Sequence, residues 1–262
     1  MVKKYKGYNE TSFPKARLPV VDSLKQSRYM DTVHSLMEAD VTEARRLIKE
    51  SRNRTGEPLS FTAFLTYCLS RAVDEHKSVH AYRRGNKLVI YDEVDICVVV
   101  EREISGVRAP IFPHVVKSAN TKTLANIHQE IRTAQSSESH TEDRGRLIDL
   151  YSWLPGFTRH MMWRIILRSP RWRKRLTGTV GISAIGMFGK GAGWGIPIPT
   201  FTMSLTVGGI TEKPGVVQGR IEPREYLNLT LSFDHAVVDG APAARFTQRL
   251  KELIEGGHGL IE

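Results

Sequence analysis

LTLSFDHAVVDG, residues 229–240, is the stretch around which the rest of the chain is organised. Apolar residues occupy every second position from 227 to 233, the period of a strand with one buried face, and the spacing lengthens to that of a helix over 241–254. Pro242 suits the first turn of that helix, where its missing N–H loses no hydrogen bond. The pattern therefore predicts that His235 lies on a strand-to-helix turn, from which an imidazole can reach into a cleft.

Composition limits the class of protein before any motif is considered. The chain has 262 residues, enough for one large domain or two small ones, and its 40% hydrophobic content is enough for a substantial core. Its net charge of +10 favours acidic partners such as nucleic acid, anionic lipid or a phosphorylated cofactor. Cys68 and Cys97 lack metal-like spacing and predict buried structural thiols. The sequence has neither a signal-peptide pattern nor an apolar run of about 20 residues, so we expect a soluble cytoplasmic protein.

Strands and helices alternate along the chain, which predicts a mixed sheet packed by helices. The lack of periodicity in residues 1–27 predicts an extended arm. The turn signal within residues 79–91 predicts a hairpin. The polar break at 136–145 is the best linker candidate. The expected strands cover residues 33–41, 94–100, 179–185, 201–210 and 216–221. The expected helices cover residues 42–52, 61–73, 123–134 and 241–254, with Thr42 and Ser60 as candidate caps for the first two.

The run SFDHAVVDGAPAARF, residues 232–246, extends the opening stretch into the following helix. It resembles the C-terminal signature of the dihydrolipoyl acyltransferase components of 2-oxo acid dehydrogenase complexes. That family shares its HxxxDG motif and its fold with chloramphenicol acetyltransferase. Four further segments resemble the family in the same order, at residues 59–75, 91–96, 115–131 and 178–189. The resemblance covers residues 28–256 and implies an α/β, two-layer, chloramphenicol acetyltransferase-like fold. It identifies residues 28–262 as a stand-alone catalytic domain without a lipoyl domain, and so without a covalent lipoyl group.

The resemblance also assigns roles to three residues. Acyl transfer needs a base for the nucleophile and a donor for the tetrahedral oxyanion, and a neutral imidazole, with its pKa ordinarily near about 6.5, suits the first task. It implies that His235 is the general base, that Ser183 donates its hydroxyl to the oxyanion, and that Asp239 is a structural brace held by an arginine elsewhere. The residues alone leave open a solvent-facing or hydrogen-bonded turn histidine and a plain strand serine.

Family members form trimers with each active site between two subunits, so the resemblance implies a homotrimer or a multiple of trimers. His235 and Ser183 would then come from different chains. Coenzyme A is implied as the acyl-carrying substrate, and a lipoyl protein or another acyl carrier as a partner. Two positions depart from the family, Ala236 in place of Arg and Ala184 in place of Asn. They favour the alternative of a non-catalytic trimeric scaffold or partner-binding module that retains the fold.

A basic, apolar insertion at about 140–176 has no counterpart in the family pattern. Residues 159–175 contain seven Arg or Lys and no acid, and Pro170 is expected to interrupt their helix. One stripe of that helix holds Arg164, Arg168, Arg171 and Arg175. Three interpretations stay open: a helical cover, contact with an anionic membrane surface through Arg159–Arg175, or docking of an acidic carrier or the phosphates of coenzyme A. Nucleic acid is not expected, because no binding fold accompanies the charge.

Overall fold

The structure of the protein is a computed structural model that describes residues 3–28, 30–56, 58–104, 107–136, 149–186, 191–198 and 200–260. Within these ranges the strands are β1 (Lys3–Tyr5), β2 (Tyr8–Glu10), β3 (Thr32–Asp40), β4 (Tyr82–Arg84), β5 (Lys87–Val89), β6 (Ile96–Ile104), β7 (Val107–Val116), β8 (Val180–Ala184), β9 (Met203–Val217) and β10 (Arg220–Asp234). The helices named below are α1 (Leu18–Ser27), α2 (Thr42–Thr55), α3 (Phe61–Glu75), α4 (Leu124–Ser136), α5 (Gly156–Arg168), α6 (Pro170–Thr177) and α7 (Gly240–Glu255).

Six strands form one mixed sheet in the order β3-β10-β9-β8-β6-β7. Strand β8 runs parallel to both of its neighbours, β6 and β9, whereas the other pairs are antiparallel. Helices α2, α3, α4 and α7 pack on the sheet and share one hydrophobic core with it. The predicted two-layer α/β fold with a mixed sheet is therefore confirmed.

The strand β10 buries every second side chain against the helices. Leu229, Leu231 and Phe233 are at most 1% exposed, and Phe233 meets Phe246 of α7 edge to face, with ring centroids 5.9 Å apart. Burying a side chain of this size stabilises the fold by about 1.5–3 kcal/mol, and a one-residue slip would move all of them from the helices to the opposite, polar face of the sheet. The core therefore fixes the register of β10 and, with it, the position of His235 just beyond the strand.

The opposite face of the sheet is polar and lies under an irregular loop. Three of its side chains, each at most 4% exposed, are Thr206, Thr230 and Ser232. The loop crosses the sheet at residues 191–198, where the Gly209 N–H donates to the Gly193 carbonyl at 3.0 Å. A Cβ added to Gly208 would lie 2.1 Å from the same carbonyl oxygen, so this close approach requires glycine.

Two sequence predictions of local structure are wrong. Residues 18–27 form helix α1 and do not continue an extended arm, because Asp22 anchors them to a distant segment that local periodicity does not reveal. Residues 216–221 contain the turn of the β9–β10 hairpin and not a separate strand. Gln218 and Gly219 have φ of 49° and 80°, and two consecutive positive φ angles are typical of a two-residue hairpin turn.

The two cap predictions have different outcomes. Ser60 caps α3 as predicted, since its Oγ accepts from the Ala63 N–H at 3.4 Å, a contact worth about 1 kcal/mol. Thr42 is instead the first residue of α2, and its hydroxyl donates to Asp40 at 2.6 Å. The predicted polar break at 136–145 lies almost entirely outside the described residues.

Residues 149–177 pack on α1 as a helical layer, and their helix breaks at Pro170 as predicted. Asp22 of α1 is 3% exposed and accepts from Arg159 Nε at 2.9 Å and from Tyr151 Oη at 2.7 Å. This buried carboxylate ties the layer to the body of the protein. The outer face of the layer carries apolar side chains four residues apart, 59–82% exposed: Trp153, Phe157, Met161 and Ile165.

Strands β9 and β10 continue beyond the sheet as a two-stranded ribbon. Each strand has 15 residues, yet β3 pairs with β10 only from Tyr226 onward and β8 pairs with β9 only as far as Val207. Among the described residues, no third strand therefore pairs with 212–224. Val216 and Ile221, near the tip of the ribbon, are 76% and 77% exposed.

Candidate active site

His235 is the first residue after β10, on the turn that the sequence predicts. Its backbone N–H donates to the Asp31 carbonyl at 2.6 Å, and the Asp234 carboxylate accepts from the Ala236 N–H at 3.1 Å. The His235 side chain is 47% exposed, and no described residue of the chain hydrogen-bonds to either ring nitrogen. The turn is thus fixed by its backbone, while the imidazole is open to a substrate.

Asp239 lies one helical turn after the histidine, at the start of α7. Its Oδ1 is 4.0 Å from Nδ1 of His235, which is beyond hydrogen-bonding distance, and its side chain is 87% exposed. As N-cap residue of α7 it makes no capping hydrogen bond with its side chain. No arginine within the described ranges of this chain pairs with it. The expected arginine-held brace is therefore not formed within one described chain.

Ser183 lies on β8, in register with Thr206 of β9. Its neighbours Ile182 and Ala184 belong to the core side of the strand, so Ser183 points to the polar face. There it lines a cavity of about 220 Å³ with Thr206 and Ser204. Its hydroxyl makes no hydrogen bond to another described residue, which leaves Oγ–H available to a ligand.

Ser183 and His235 do not meet within one chain. The serine is in register with Thr206, and Thr206 with Thr230, so Ser183 is two strands away from β10 and level with a residue five positions before His235. With strands about 4.8 Å apart and about 3.3 Å per residue, the two Cα atoms are separated by roughly 19 Å. The side chains are too short to act on one carbonyl from these positions.

An open cleft of about 560 Å³ lies beside the histidine turn. Asp234 and Ala236, on either side of His235, form part of its wall, and Arg173 of α6 and Tyr82 of β4 line it from other elements. The guanidinium carbon of Arg173 is 4.5 Å from the centroid of the Tyr82 ring. Burial lowers the pKa of Arg173 from its ordinary value.

Sequence reasoning did not single out Arg173 or Tyr82. The signal for Arg173 is its position two residues after Arg171, a rotation of about 200° around the helix that places it opposite the arginine stripe. All four arginines of that stripe are exposed. Arg173, which is outside the stripe, is partly buried because it faces the cleft.

The two positions that depart from the family pattern lie at different places. Ala236 is exposed and borders the cleft beside His235. Ala184 lines a separate cavity of about 570 Å³, bordered also by Arg45 and Phe61. Both place a methyl group where a longer polar side chain is expected, so contacts made by those polar groups are missing here.

Two cysteines and one histidine elsewhere in the described chain are buried. Cys68 and Cys97 are buried as predicted, and burial raises the pKa of the Cys97 thiol to about 12. His80 is 1% exposed, and burial lowers its pKa to about 4. In the part of the chain that is described, no three His, Cys, Asp or Glu side chains are grouped to hold a metal ion. Among the described helices, none is long and apolar enough to cross a membrane.

Comparison with known proteins identifies the family pattern. A family model described as 2-oxoacid dehydrogenases acyltransferase (catalytic domain) matches residues 5–142 and 174–261, which leaves 143–173 unmatched. The lipoamide acyltransferase component of the branched-chain alpha-keto acid dehydrogenase complex of Bacillus subtilis is 26% identical over 259 residues, 95% of this chain and 53% of that protein. The chain spans about half the length of the curated relatives it matches.

Solved structures share the fold. The dihydrolipoamide acetyltransferase of Azotobacter vinelandii, studied for the role of a serine, a histidine and an asparagine in its catalytic mechanism, superposes with a TM-score of 0.70 at 20% identity. That match covers 97% of this chain and 93% of the other. A chloramphenicol acetyltransferase superposes with a TM-score of 0.51 at 14% identity, over 93% of this chain and 99% of the other. The predicted chloramphenicol acetyltransferase-like fold is confirmed.

Proposed function

Because the chain belongs to the family of 2-oxoacid dehydrogenase acyltransferase catalytic domains, we propose that it transfers an acyl group between coenzyme A and the thiol of a lipoyl group carried by a partner protein. His235 is the general base, and Ser183 of a neighbouring subunit is the oxyanion donor. The open imidazole on its fixed turn, beside a cleft of about 560 Å³, supports this proposal.

The reaction follows from these two roles. His235 takes the proton of the attacking thiol, and the thiolate adds to the thioester carbonyl carbon to give a tetrahedral oxyanion. The Ser183 hydroxyl donates a hydrogen bond to that oxyanion, which is stronger in the transition state than in the planar carbonyl. Collapse of the intermediate breaks the original C–S bond, and the departing thiolate takes the proton back from the imidazolium. The acyl group has then changed thiols, and no proton is gained or lost.

One observation carries the proposal. In the Azotobacter protein the serine and histidine studied for catalysis are 52 residues apart, and the asparagine follows the histidine by four. Ser183 and His235 are also 52 residues apart, and Asp239 follows His235 by four. The residue pattern of that mechanism therefore recurs here, with a carboxylate in place of the amide.

The roughly 19 Å between the two side chains within one chain supports a shared site. A trimer, or a multiple of trimers, in which β8 of one subunit faces the histidine turn of the next would bring Ser183 to His235. Asp239, exposed in one chain, would gain partners in the same interface. We therefore propose that the assembled oligomer is the active species.

The direct test is the rate of acyl exchange between acetyl- or succinyl-coenzyme A and dihydrolipoamide, followed by chromatography of the coenzyme A species. His235→Ala should lower kcat by about 10²- to 10⁴-fold, the usual contribution of a general base. His258→Ala, which changes an exposed histidine stacked on Tyr67, is the matched control and should retain full activity. Undiminished exchange by His235→Ala would refute the mechanism, and absence of exchange in the unaltered protein would favour the scaffold alternative.

The outward face of the insertion favours a second function. We propose that its exposed apolar residues, together with the four arginines of the stripe, bind an anionic membrane surface. Arg159 does not take part, because it is paired with buried Asp22. Substituting Trp153 and Phe157 by Ser should reduce co-sedimentation with vesicles containing phosphatidylserine, whereas Ser substitutions of Val216 and Ile221 should not. Equal sedimentation of both double variants and the unaltered protein would remove this function.

A further inference from the structure

A carboxylate lies directly beside the histidine turn. Asp234 precedes His235, is partly buried and lines the cleft of about 560 Å³. Its Oδ1 accepts from the Ala236 N–H at 3.1 Å, which holds the carboxylate at the turn. In the proposed reaction a thiolate and then an oxyanion form at His235, and a fixed negative charge nearby raises the energy of both. A cation that offsets the charge of Asp234 would remove this penalty.

Arg173 brings a cation to the wall of the same cleft. It is partly buried and forms no direct ion pair with a described residue, so no nearer carboxylate neutralises its charge. Burial lowers the pKa of Arg173, and the Asp234 carboxylate is among the groups that oppose this lowering. The charges of Arg173 and Asp234 therefore act on each other across the cleft.

The other charged side chains in the wall of the cleft have little influence on this balance. They are Asp31 and Arg83, one of each sign, and both are exposed to solvent. Arg83 also donates from Nε to the Gly85 carbonyl at 3.0 Å, within its own hairpin. Because water and salt screen exposed charges, the partly buried pair of Asp234 and Arg173 dominates the field beside the turn.

The guanidinium of Arg173 is held in place before any substrate arrives. Its Cζ lies 4.5 Å from the centroid of the Tyr82 ring, a cation–π contact. Tyr91 donates its hydroxyl to the Pro170 carbonyl at 3.0 Å and so fixes the start of the helix that carries Arg173. A charge fixed in advance stabilises a developing anion without a cost of reorganisation during the reaction.

Position 236 shows why the insertion has to supply this cation. The family pattern has Arg directly after the motif histidine, whereas this chain has Ala236, which borders the cleft. Arg173 is the last residue of the segment that the family model leaves unmatched. A guanidinium is thus missing from the turn, and another enters the same cleft from outside the shared pattern.

We propose that Arg173 is a positioning residue that acts through Asp234: it offsets the charge of that carboxylate and keeps the cleft receptive to the thiolate, in place of the arginine that the turn lacks. This inference rests on the proposed acyl transfer. It makes the insertion a working part of the active site in this chain.

The test measures kcat and both KM values for acyl exchange between acetyl-coenzyme A and dihydrolipoamide with the assembled protein. Arg173→Gln should lower kcat by about 10-fold with little change in either KM, the order expected for a unit charge several ångströms from a forming anion. Arg173→Lys keeps the charge and should retain most of the rate. Arg132→Gln, which changes an exposed arginine of α4 that does not line the cleft, is the matched control and should keep full activity.

Two further variants separate the charge of Asp234 from other effects. Asp234→Asn removes the charge and keeps an oxygen that can accept from the Ala236 N–H. In the Asp234→Asn protein, Arg173→Gln should cost less than about 2-fold, because the charge that it offsets is gone. Ala236→Arg returns a guanidinium to the turn and should recover most of the rate that Arg173→Gln loses.

Several outcomes would overturn the inference while leaving acyl transfer intact. These are full activity of Arg173→Gln, equal losses in Arg173→Gln and Arg173→Lys, an equal loss with and without the Asp234 charge, and no recovery by Ala236→Arg. A higher KM for acetyl-coenzyme A at unchanged kcat would mean that Arg173 binds a phosphate of the substrate, which also overturns it. Absence of exchange in the unaltered protein would instead refute acyl transfer, and this inference with it.

A role of Arg173 in the fold makes a different prediction. Removing a partly buried charge that has no direct partner should leave the unfolding temperature of the unliganded protein unchanged or higher. A loss of more than about 10 °C in Arg173→Gln, as large as that of a disrupted core, would show that Arg173 serves the fold and would overturn the inference.

Discussion

Mixing two inactive variants of this protein should restore activity. His235→Ala removes the base and Ser183→Ala removes the oxyanion donor, and each subunit still carries the residue that the other lacks. Because the two Cα atoms are roughly 19 Å apart in one chain, a working site must combine the histidine of one subunit with the serine of the next. A mixed trimer therefore contains an intact site, although none of its subunits is intact.

The recovered activity follows from the symmetry of a ring. When equal amounts of the two variants assemble at random, a site is intact only if its histidine comes from a Ser183→Ala subunit and its serine from a His235→Ala subunit. This combination occurs in about one quarter of sites. Residual turnover of each variant alone is smaller by at least about 10²-fold, so it does not obscure this signal. The expected rate is thus about a quarter of that of the unaltered protein.

Co-expression of the two variants and measurement of acyl exchange per subunit tests this number. A matched control mixes the unaltered chain with the double variant: shared sites predict about one quarter activity, whereas sites within one chain predict about one half. Sites within one chain also predict no recovery in the first mixture. Failure to recover activity, with normal assembly of the mixed oligomer, would refute a site shared between subunits.

Three further predictions concern stability, each measured by urea unfolding. The ring nitrogens of His80 contact Thr179 Oγ1 and the Tyr91 carbonyl at 3.1 Å, and burial lowers the pKa of this histidine to about 4. Because the unfolded chain binds the proton below about pH 6.5, the free energy of unfolding should fall by about 3 kcal/mol from pH 7 to pH 4. His80→Asn should flatten this pH dependence. Arg159→Ala should cost about 3 kcal/mol by leaving Asp22 buried without its main cation. Gly208→Ala should cost about 2 kcal/mol, because its Cβ would overlap a loop carbonyl.

Matched variants are controls for the predictions on Arg159 and Gly208. Arg164→Ala changes an exposed arginine that forms no ion pair with a described residue. This substitution should alter the free energy of unfolding by less than about 0.5 kcal/mol. Gly240→Ala adds a Cβ that meets nothing within 4 Å and should be equally mild. Equal effects of Gly208→Ala and Gly240→Ala, or an unchanged pH dependence in His80→Asn, would contradict the corresponding arguments.

Local chemistry explains which parts of the site could be predicted from the sequence. The alternation along β10 and the turn after it are visible in successive residues, so His235 was placed on its turn, and the strand period placed Ser183 on β8. Arg173 could not be assigned a role, because its surroundings depend on the Pro170 break and on the packing of α6 against the β4–β5 hairpin. Helix α1 was missed for a similar reason, since Asp22 finds its partners more than a hundred residues away.

Because β10 extends into the β9–β10 ribbon, the backbone hydrogen bonds at its two ends should open at different rates. A pair of strands with no third neighbour is only marginally stable, so amides in residues 212–224 should exchange with solvent through local opening. The other end of β10 is locked between β3 and β9 above the core, and its amides should exchange only with global unfolding. The tip of the ribbon can therefore unfold locally, be cleaved by a protease or change conformation on another surface, while the turn that holds His235 stays folded.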